Sequence, residues 1–599
     1  MSDNTLKFDK GKNAVLVENN AQTIFDHLNE LEKDSKTYSK RWFWELLQNA
    51  KDSVDSNSKV SVKVILYENS LSFLHTGDAF EESDILHLIF HGSSKKSLEG
   101  KTGRFGTGFM STHLLSRKVN ITGKLSDNTY FKFDLNREAN RILEQQENLE
   151  SSYTRFCSSN TEKNYSDSKY NTIFTYDLAE PSFKIAVSGI EQLQQIMPFV
   201  MAFNEKIENI EVVNNKTITI IRGLKKELIF KEKKIINQEI LYNDIFYNVV
   251  FIKSDDSDVA VLLEKKEGVI SLVNLDEGYP KLFFDFPLFG TERFGCPVII
   301  NSKKFDLKGE RDGIYLGVDN KDKPTIVENK RIISNSLSSI NILIEFLFEN
   351  FPIKLYNLYK LKSPFEYNWL DNEWLESIYT ITIQSLLNTP CVKLNGKALP
   401  LNSIALPFSK SIEAKLFYNL VTDFKKESTP DFEDVTEWIS VAVGFSNIEK
   451  KDITDYKSII DERELCILIE NNKSLDEINN IFISESSCEK SDMSLAINWL
   501  NDLFNLFSKE QTELLSSLYC IIPNQKKQLT KREVNALFFD QIGNEEIKSV
   551  AESFDWDIKS ELKQYRKKDR WKVIVFKKIL LPLLIQHMAF EATFNNLHP

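Results

Sequence analysis

The sequence predicts an α+β protein in three parts: an N-terminal α/β sandwich over residues 1–224, a strand-rich α/β second domain over 225–335, and a mostly helical region over 336–599. Three observations lead there. The chain is 599 residues long, several times the ~150 residues of one ordinary domain. Its N-terminal third mixes helical spacing with period-two alternation, and alternation then dominates. From about Arg331 onward helical spacing takes over.

Taken in order, Ile24, Leu28 and Leu31 begin a helical pattern that runs over residues 20–55. Val60, Val62, Val64 and Leu66, then Leu71 and Phe73, alternate as two strands turning at Glu68-Asn69. Residues 81–102 read as a lid, helical at Asp84–Phe90 and polar at His91–Lys96. Tyr130–Leu135 and Thr172–Tyr176 read as strands. Residues 137–170 are polar and read as a long insertion. A helix at Gly189–Ala202 and strands at 209–221 complete the sandwich. The second domain shows strands at Ile245–Ile252, Val259–Glu264, Val269–Val273, Leu282–Phe284 and Val298–Ile300. In the helical region, Asn395-Gly396 predicts a hairpin near Cys391–Leu401, and Pro523-Asn524-Gln525 a break.

Lys and Arg number 75 against 87 Asp and Glu, a net charge of −12. That disfavours general binding to nucleic acid or an anionic membrane surface. The basic run Lys563–Lys572, with Tyr565 and Trp571 beside it, leaves a local nucleic-acid contact open but not favoured. The six cysteines are scattered with no Cys-x-x-Cys spacing, which fits a reducing compartment and no zinc ribbon. The N-terminus is polar, and the apolar stretch Ile579–Ile585 is broken by Pro582, far short of the ~20 residues of a span. The expectation is a cytoplasmic protein with no membrane partner.

Glycine is scarce, 20 in all, yet seven fall between Gly77 and Gly123. Glycine admits positive φ and close backbone approach, so special geometry is concentrated there. The cluster ends in Gly103-Arg104-Phe105-Gly106-Thr107-Gly108-Phe109, followed by Met110, Leu114 and Leu115 at helical spacing. This reads as a glycine-rich loop opening a helix, a common anion site. It lacks the Gly-Lys-Ser/Thr ending of a P-loop.

Upstream, Glu45 and Asn49 are four residues apart on one helix face, with Asp52 three further on. Trp42, Phe43, Trp44, Leu46 and Leu47 surround them. A carboxylate and an amide in such apolar company point to a polar pocket and not to a solvated face.

Glu45-x-x-x-Asn49-x-x-Asp52, a turn centred on Gly77, and Gly103-x-x-Gly106-x-Gly108-Phe109 together resemble the ordered boxes of the GHKL ATPases. Within that superfamily the chain looks most like the sacsin-type proteins of bacteria, which are heat-shock-chaperone-like. The resemblance implies a Bergerat-type ATP-binding domain using ATP and Mg²⁺. Glu45 would be the catalytic base and Asn49 the metal ligand. Asp52, Gly77, Gly103, Phe105, Gly106, Thr107, Gly108 and Phe109 would line the nucleotide. His75 stands where the family usually has the Asp that accepts from the adenine amino group; a neutral His can accept at one nitrogen, and Asp78 is an alternative acceptor. Lys95 or Lys96 would reach a phosphate, and Thr172 would lie near the base.

Farther on, Asp285-Phe286-Pro287-Leu288-Phe289-Gly290 and Lys308-Gly309-Glu310-Arg311-Asp312-Gly313 are similar to the second domain of the sacsin-like proteins. Tyr519–Gln525 is similar to a recurring C-terminal segment of the bacterial members. Arg311 is the candidate basic residue completing the site, with Lys303, Lys304 and Lys308 as alternatives. The resemblance implies a slowly hydrolysing conformational switch in a bacterial anti-phage defence system. Its partner would be a second copy of the chain or a separately encoded effector. A chaperone-like ATPase and a nucleotide-binding scaffold without turnover are the other readings.

Overall fold

The computed structural model describes residues 3–33, 39–55, 57–90, 108–159, 169–308, 312–317, 323–483, 494–523, 527–531, 537–539 and 557–559. The chain divides into two compact units, Met1–Ser385 and Leu386–Pro599.

The first unit opens with helices α1 (Asp3–Lys33) and α2 (Arg41–Asp52). Strands β1 (Val60–Tyr67) and β2 (Ser70–His75) form a hairpin with Leu66 opposite Leu71. The expected alternation is met, with Leu71, Phe73 and His75 on the buried face. Helix α3 (Glu82–Phe90), a 3₁₀ turn (Gly108–Leu114), and strands β3 (Lys118–Lys124) and β4 (Tyr130–Asn136) follow. Then come α4 (Ile142–Ser158), β5 (Thr172–Asp177), α5 (Glu180–Ile190) and α6 (Leu193–Phe203).

Two expectations are corrected here. Residues 142–158 form a helix where a polar insertion was expected. It turns Gln145, Leu149 and Ser152 inward, and Leu149 joins Ala21, Ile24, Leu28, Leu31 and Met110 in one small core. The helix opened by Gly108 is 3₁₀, not α. The Ser111 and Thr112 hydroxyls bond back to the carbonyls of Gly108 and Phe109 at 2.8 and 2.7 Å, a three-residue return that suits the tighter winding.

The strands continue as β6 (Ile207–Asn214), β7 (Lys216–Phe230), β8 (Lys233–Tyr242), β9 (Ile245–Lys253), β10 (Asp258–Lys266), β11 (Val269–Leu272), β12 (Leu282–Phe284), β13 (Phe286–Pro287) and β14 (Ile299–Asn301). All belong to a single 14-stranded sheet in the order β13-β12-β14-β10-β9-β8-β7-β6-β1-β2-β5-β3-β4, with β11 on β10. The pairs β1–β6 and β12–β14 are parallel and the rest antiparallel. Strand β7 is 15 residues long and serves both halves, pairing with β6 near its start and β8 along its length. The expected division at 224/225 falls inside β7, at an irregularity between Arg222 and Lys225.

Helices α7 (Pro324–Ser338) and α8 (Ile340–Asn350) follow. Together they are apolar and long enough to cross a bilayer by composition, with a mean hydropathy of 1.2 over the most apolar stretch, half of which is buried within the protein. That burial is what the core helices of a folded domain show.

The second unit is mostly helical, as expected. Ala414–Lys425, Phe432–Glu449, Glu462–Glu470, Leu475–Ile483, Ser494–Leu506 and Lys509–Leu518 are helices, several packed around Phe417, Trp499, Leu500 and Phe504. The hairpin Pro390–Leu394 with Lys397–Pro400 turns at Asn395 and Gly396, whose φ values of 50° and 77° are those of a primed turn. The segment 563–572 and the apolar stretch 579–585 lie outside the described residues.

One buried ionic node ties α2 to the far half of the sheet. Lys51 Nζ lies 3.1 Å from Asp285 Oδ2, and Lys303 Nζ lies 3.2 Å from the same oxygen. Asp285 is 1% exposed and takes a left-handed φ of 60° between β12 and β13. Its N–H donates to Asn301 Oδ1 and its carbonyl accepts from Asn204 Nδ2, both at 2.8 Å. Removing one member of a buried pair strands the other charge at a cost of about 3–5 kcal/mol. Asp285→Ala is therefore expected to lose about that much in urea denaturation; a loss below about 1 kcal/mol, typical of a surface pair, would show the node to be unimportant.

Candidate functional site

Helix α2 is buried almost all round. Trp42, Phe43, Trp44, Leu46, Leu47, Gln48, Ala50, Lys51 and Asp52 are all inside. Trp42 Nε1 donates to the carbonyl of Ile185 at 3.2 Å, and Gly189 of α5 lies flush on the Trp42 ring, where a Cβ would overlap the indole. The half-buried residues recur every fourth position: Arg41, Glu45, Asn49 and then Ser53 just past the helix. Residues four apart lie one above another on a helix, so these form one winding stripe. Asp52, three residues beyond Asn49, is buried with its carboxylate 3.7 Å from Lys51 Nζ.

The stripe meets the glycine-rich region at Gly108. A Cβ on Gly108 would overlap Glu45 Oε2 and lie 2.6 Å from its carboxyl carbon. The missing Cβ lets the carboxylate lie directly over the Gly108 Cα. From there the contacts run on without a gap. Phe109 sits 5.5 Å from Phe174 of β5, and Phe174 stacks on His75 at 6.4 Å with the rings inclined at 29°. His75 and Thr172 are register partners across β2 and β5. The N–H of Gly77 donates to His75 Nδ1 at 3.1 Å. A Cβ on Gly77 would overlap Ser53 Oγ, and Asp78 N–H donates to the Ser53 carbonyl at 3.3 Å. This returns the path to the end of α2. Glu45, Asn49, Gly77, His75, Thr172, Phe109 and Gly108 thus lie around one closed perimeter, separated in sequence by up to 127 positions (Glu45 to Thr172).

Lys95, Gly103, Phe105, Gly106, Thr107 and Arg311 lie outside the described residues. Of the alternatives to Arg311, Lys303 is held by Asp285, Lys304 by Asp256 at 2.7 Å and Lys308 by Asp312 at 3.2 Å. Among the described residues, no three His, Cys, Asp or Glu side chains cluster as a metal site would need.

Three contributors escaped the sequence reading. Ser53 and Asn171 pin Gly77; Asn171 Nδ2 donates to the Gly77 carbonyl at 2.8 Å. Their only signal was their position, one residue from Asp52 and from Thr172. Arg137 is the third. It is 2% exposed and donates to the Leu88 carbonyl at 2.8 Å, to Met110 Sδ at 2.6 Å and to His113 Nε2 at 3.1 Å. It thereby fastens α3 to the 3₁₀ turn that begins at Gly108. Burial holds its guanidinium down to about 9. Nothing in the sequence distinguishes it from a surface arginine.

No protein-family model and no curated protein sequence matches the chain.

His75 is buried, and desolvation holds its imidazole down to about 4 from an ordinary 6.5. The unfolded chain takes up this proton as pH falls below 6.5 and the folded chain does not, so stability drops across pH 6.5 to 4. His75→Asn is expected to lose about 3 kcal/mol less than wild type across that window in denaturant titrations. Asp258, pushed up to about 6 by burial, acts in the opposite direction but equally in both proteins. Parallel pH profiles would show that His75 is not held neutral.

Proposed function

We propose that the first unit binds ATP with Mg²⁺ in a Bergerat-type site of the GHKL class and hydrolyses it slowly to ADP and phosphate. The observation that carries this reading is the seating of the Glu45 carboxylate on the Cα of Gly108. It brings the acid of one expected box against the last glycine of another, across 63 residues of sequence (45 to 108). The perimeter through Phe109, Phe174, His75 and Gly77 adds the third box to the same place.

In this reading Asn49 supplies a neutral hard oxygen for Mg²⁺. When bound, the ion neutralises charge on the phosphate oxygens. Glu45, one turn earlier on the same stripe, accepts a proton from water as its oxygen attacks the γ-phosphorus and the bond to the ADP oxygen breaks. The Glu45 carboxylate covers Gly108; once it turns to the attacking water, the absence of a Cβ would leave the Gly108 backbone to a phosphate. Arg137 and the node at Asp285 hold the turn and the helix in position.

The unit would act as a conformational switch, because β7 and the Lys51–Asp285 link join the proposed site to the rest of the sheet. The setting in bacterial anti-phage defence, with a second copy or a separate effector as partner, rests on the sacsin-type resemblance alone.

Phosphate release and Mg²⁺–ATP binding by wild type, Glu45→Ala and Asn49→Ala test the proposal. Glu45→Ala is expected to keep ATP binding and to lose about 100-fold or more of its turnover, the usual contribution of a general base. Asn49→Ala is expected to lose Mg²⁺-dependent binding. Equal turnover by Glu45→Ala and wild type would contradict the assignment. ATP binding with no release by wild type would favour a scaffold without turnover.

A further inference from the structure

The polar groups beside Phe174 carry information about what the site reads, granted the nucleotide reading above. A backbone N–H is always a donor, so the Gly77 N–H at 3.1 Å requires a bare lone pair on His75 Nδ1. The ring is neutral and buried. Its one proton is therefore on Nε2, and the imidazole's remaining hydrogen-bonding function is that of a donor. Nδ1 carries the ring's only hydrogen bond among the described residues. On the facing register position, Thr172 is fully buried and its Oγ1 has no partner among the described residues. A hydroxyl can donate or accept. Two adjacent polar groups without partners, walled by the aromatic rings of Phe174 and Phe73, suit the edge of a flat heterocycle.

We infer that His75 reads the base by donating from Nε2, so that the nucleobase must offer an acceptor to it, while Thr172 adapts to whichever group is adjacent. The sequence-based expectation that a neutral His75 accepts from the adenine amino group is thereby reversed. Adenine satisfies the pair with a ring nitrogen toward His75 and its amino group toward Thr172. Hypoxanthine satisfies it in the same orientation when that ring nitrogen is N7, with N7 accepting from His75 and its 6-oxo group accepting from the Thr172 hydroxyl. The substrate class is purine nucleoside triphosphates with an acceptor on that edge, and the 6-amino group is not required. An acidic residue in place of His75 would accept and never donate, and would therefore select for the amino group.

The test is calorimetric titration of the full chain with Mg²⁺–ATP and Mg²⁺–ITP, in wild type, His75→Asp and His75→Gln. Wild type is expected to bind the two nucleotides within about threefold of one another, since each makes the same number of bonds. His75→Asp is expected to shift the ratio at least about tenfold toward ATP, because a carboxylate can accept from the 6-amino group of ATP and meets only acceptors on that edge of ITP. His75→Gln, whose amide can donate, is expected to stay near the wild-type ratio. Should His75→Asp fail to fold, the wild-type ratio and His75→Gln still decide. A wild-type preference for ATP of tenfold or more sinks the donor assignment while leaving the ATPase reading intact. An unchanged ratio in folded His75→Asp does the same. Wild type that binds neither nucleotide removes the nucleotide reading and this inference together.

Discussion

The contact between the Glu45 carboxylate and Gly108 sets the spacing on which the proposed site depends. Helix α2 is held here by the bond from the Trp42 indole to α5 and by the burial of most of its residues. The 3₁₀ turn is held by Arg137 and by the Ser111 and Thr112 hydroxyls. Between them the Glu45 carboxylate takes the space that a Cβ on residue 108 would need. In the proposed site this places an acid, an amide one turn away and a glycine together.

The same helix faces a second neighbour. Arg41, Trp44, Glu45 and Gln48 line a cleft whose other wall is Phe284, Phe286, Pro287, Leu288 and Phe289. One turn farther along, Lys51 reaches Asp285 in the same strand segment. Any shift of α2 along its axis would therefore be felt both at Gly108 and at β12–β13. Close-packed interfaces of this kind pass between discrete arrangements instead of deforming smoothly. That is the physical argument behind the proposed switching of the first unit.

Much of this was legible in the sequence, for identifiable reasons. The hairpin of β1 and β2, the strands from Ile245 to Asn301 and the Asn395-Gly396 turn follow from alternation and turn chemistry that tertiary context did not override. The Glu45–Asn49 spacing and the glycine cluster are local patterns that the sequence displays directly. Helix α4 was hidden because two of its inward residues, Gln145 and Ser152, are polar and leave no apolar stripe. The continuity of the sheet was hidden because β7 is exposed along most of its length and shows no alternation. The Lys51–Asp285 pair spans 234 positions, and no local pattern announces it. The donor character of His75 depends on one bond from Gly77, which spacing alone cannot supply.

Hydrogen exchange of the full chain, with and without Mg²⁺–ATP, tests the central claim most directly. If the perimeter is a nucleotide site, residues 41–53, 75–78, 108–114 and 171–175 become protected together when nucleotide is added, and this protection requires Mg²⁺. Unchanged exchange in those four segments, or protection confined to the unit Leu386–Pro599, would contradict the account.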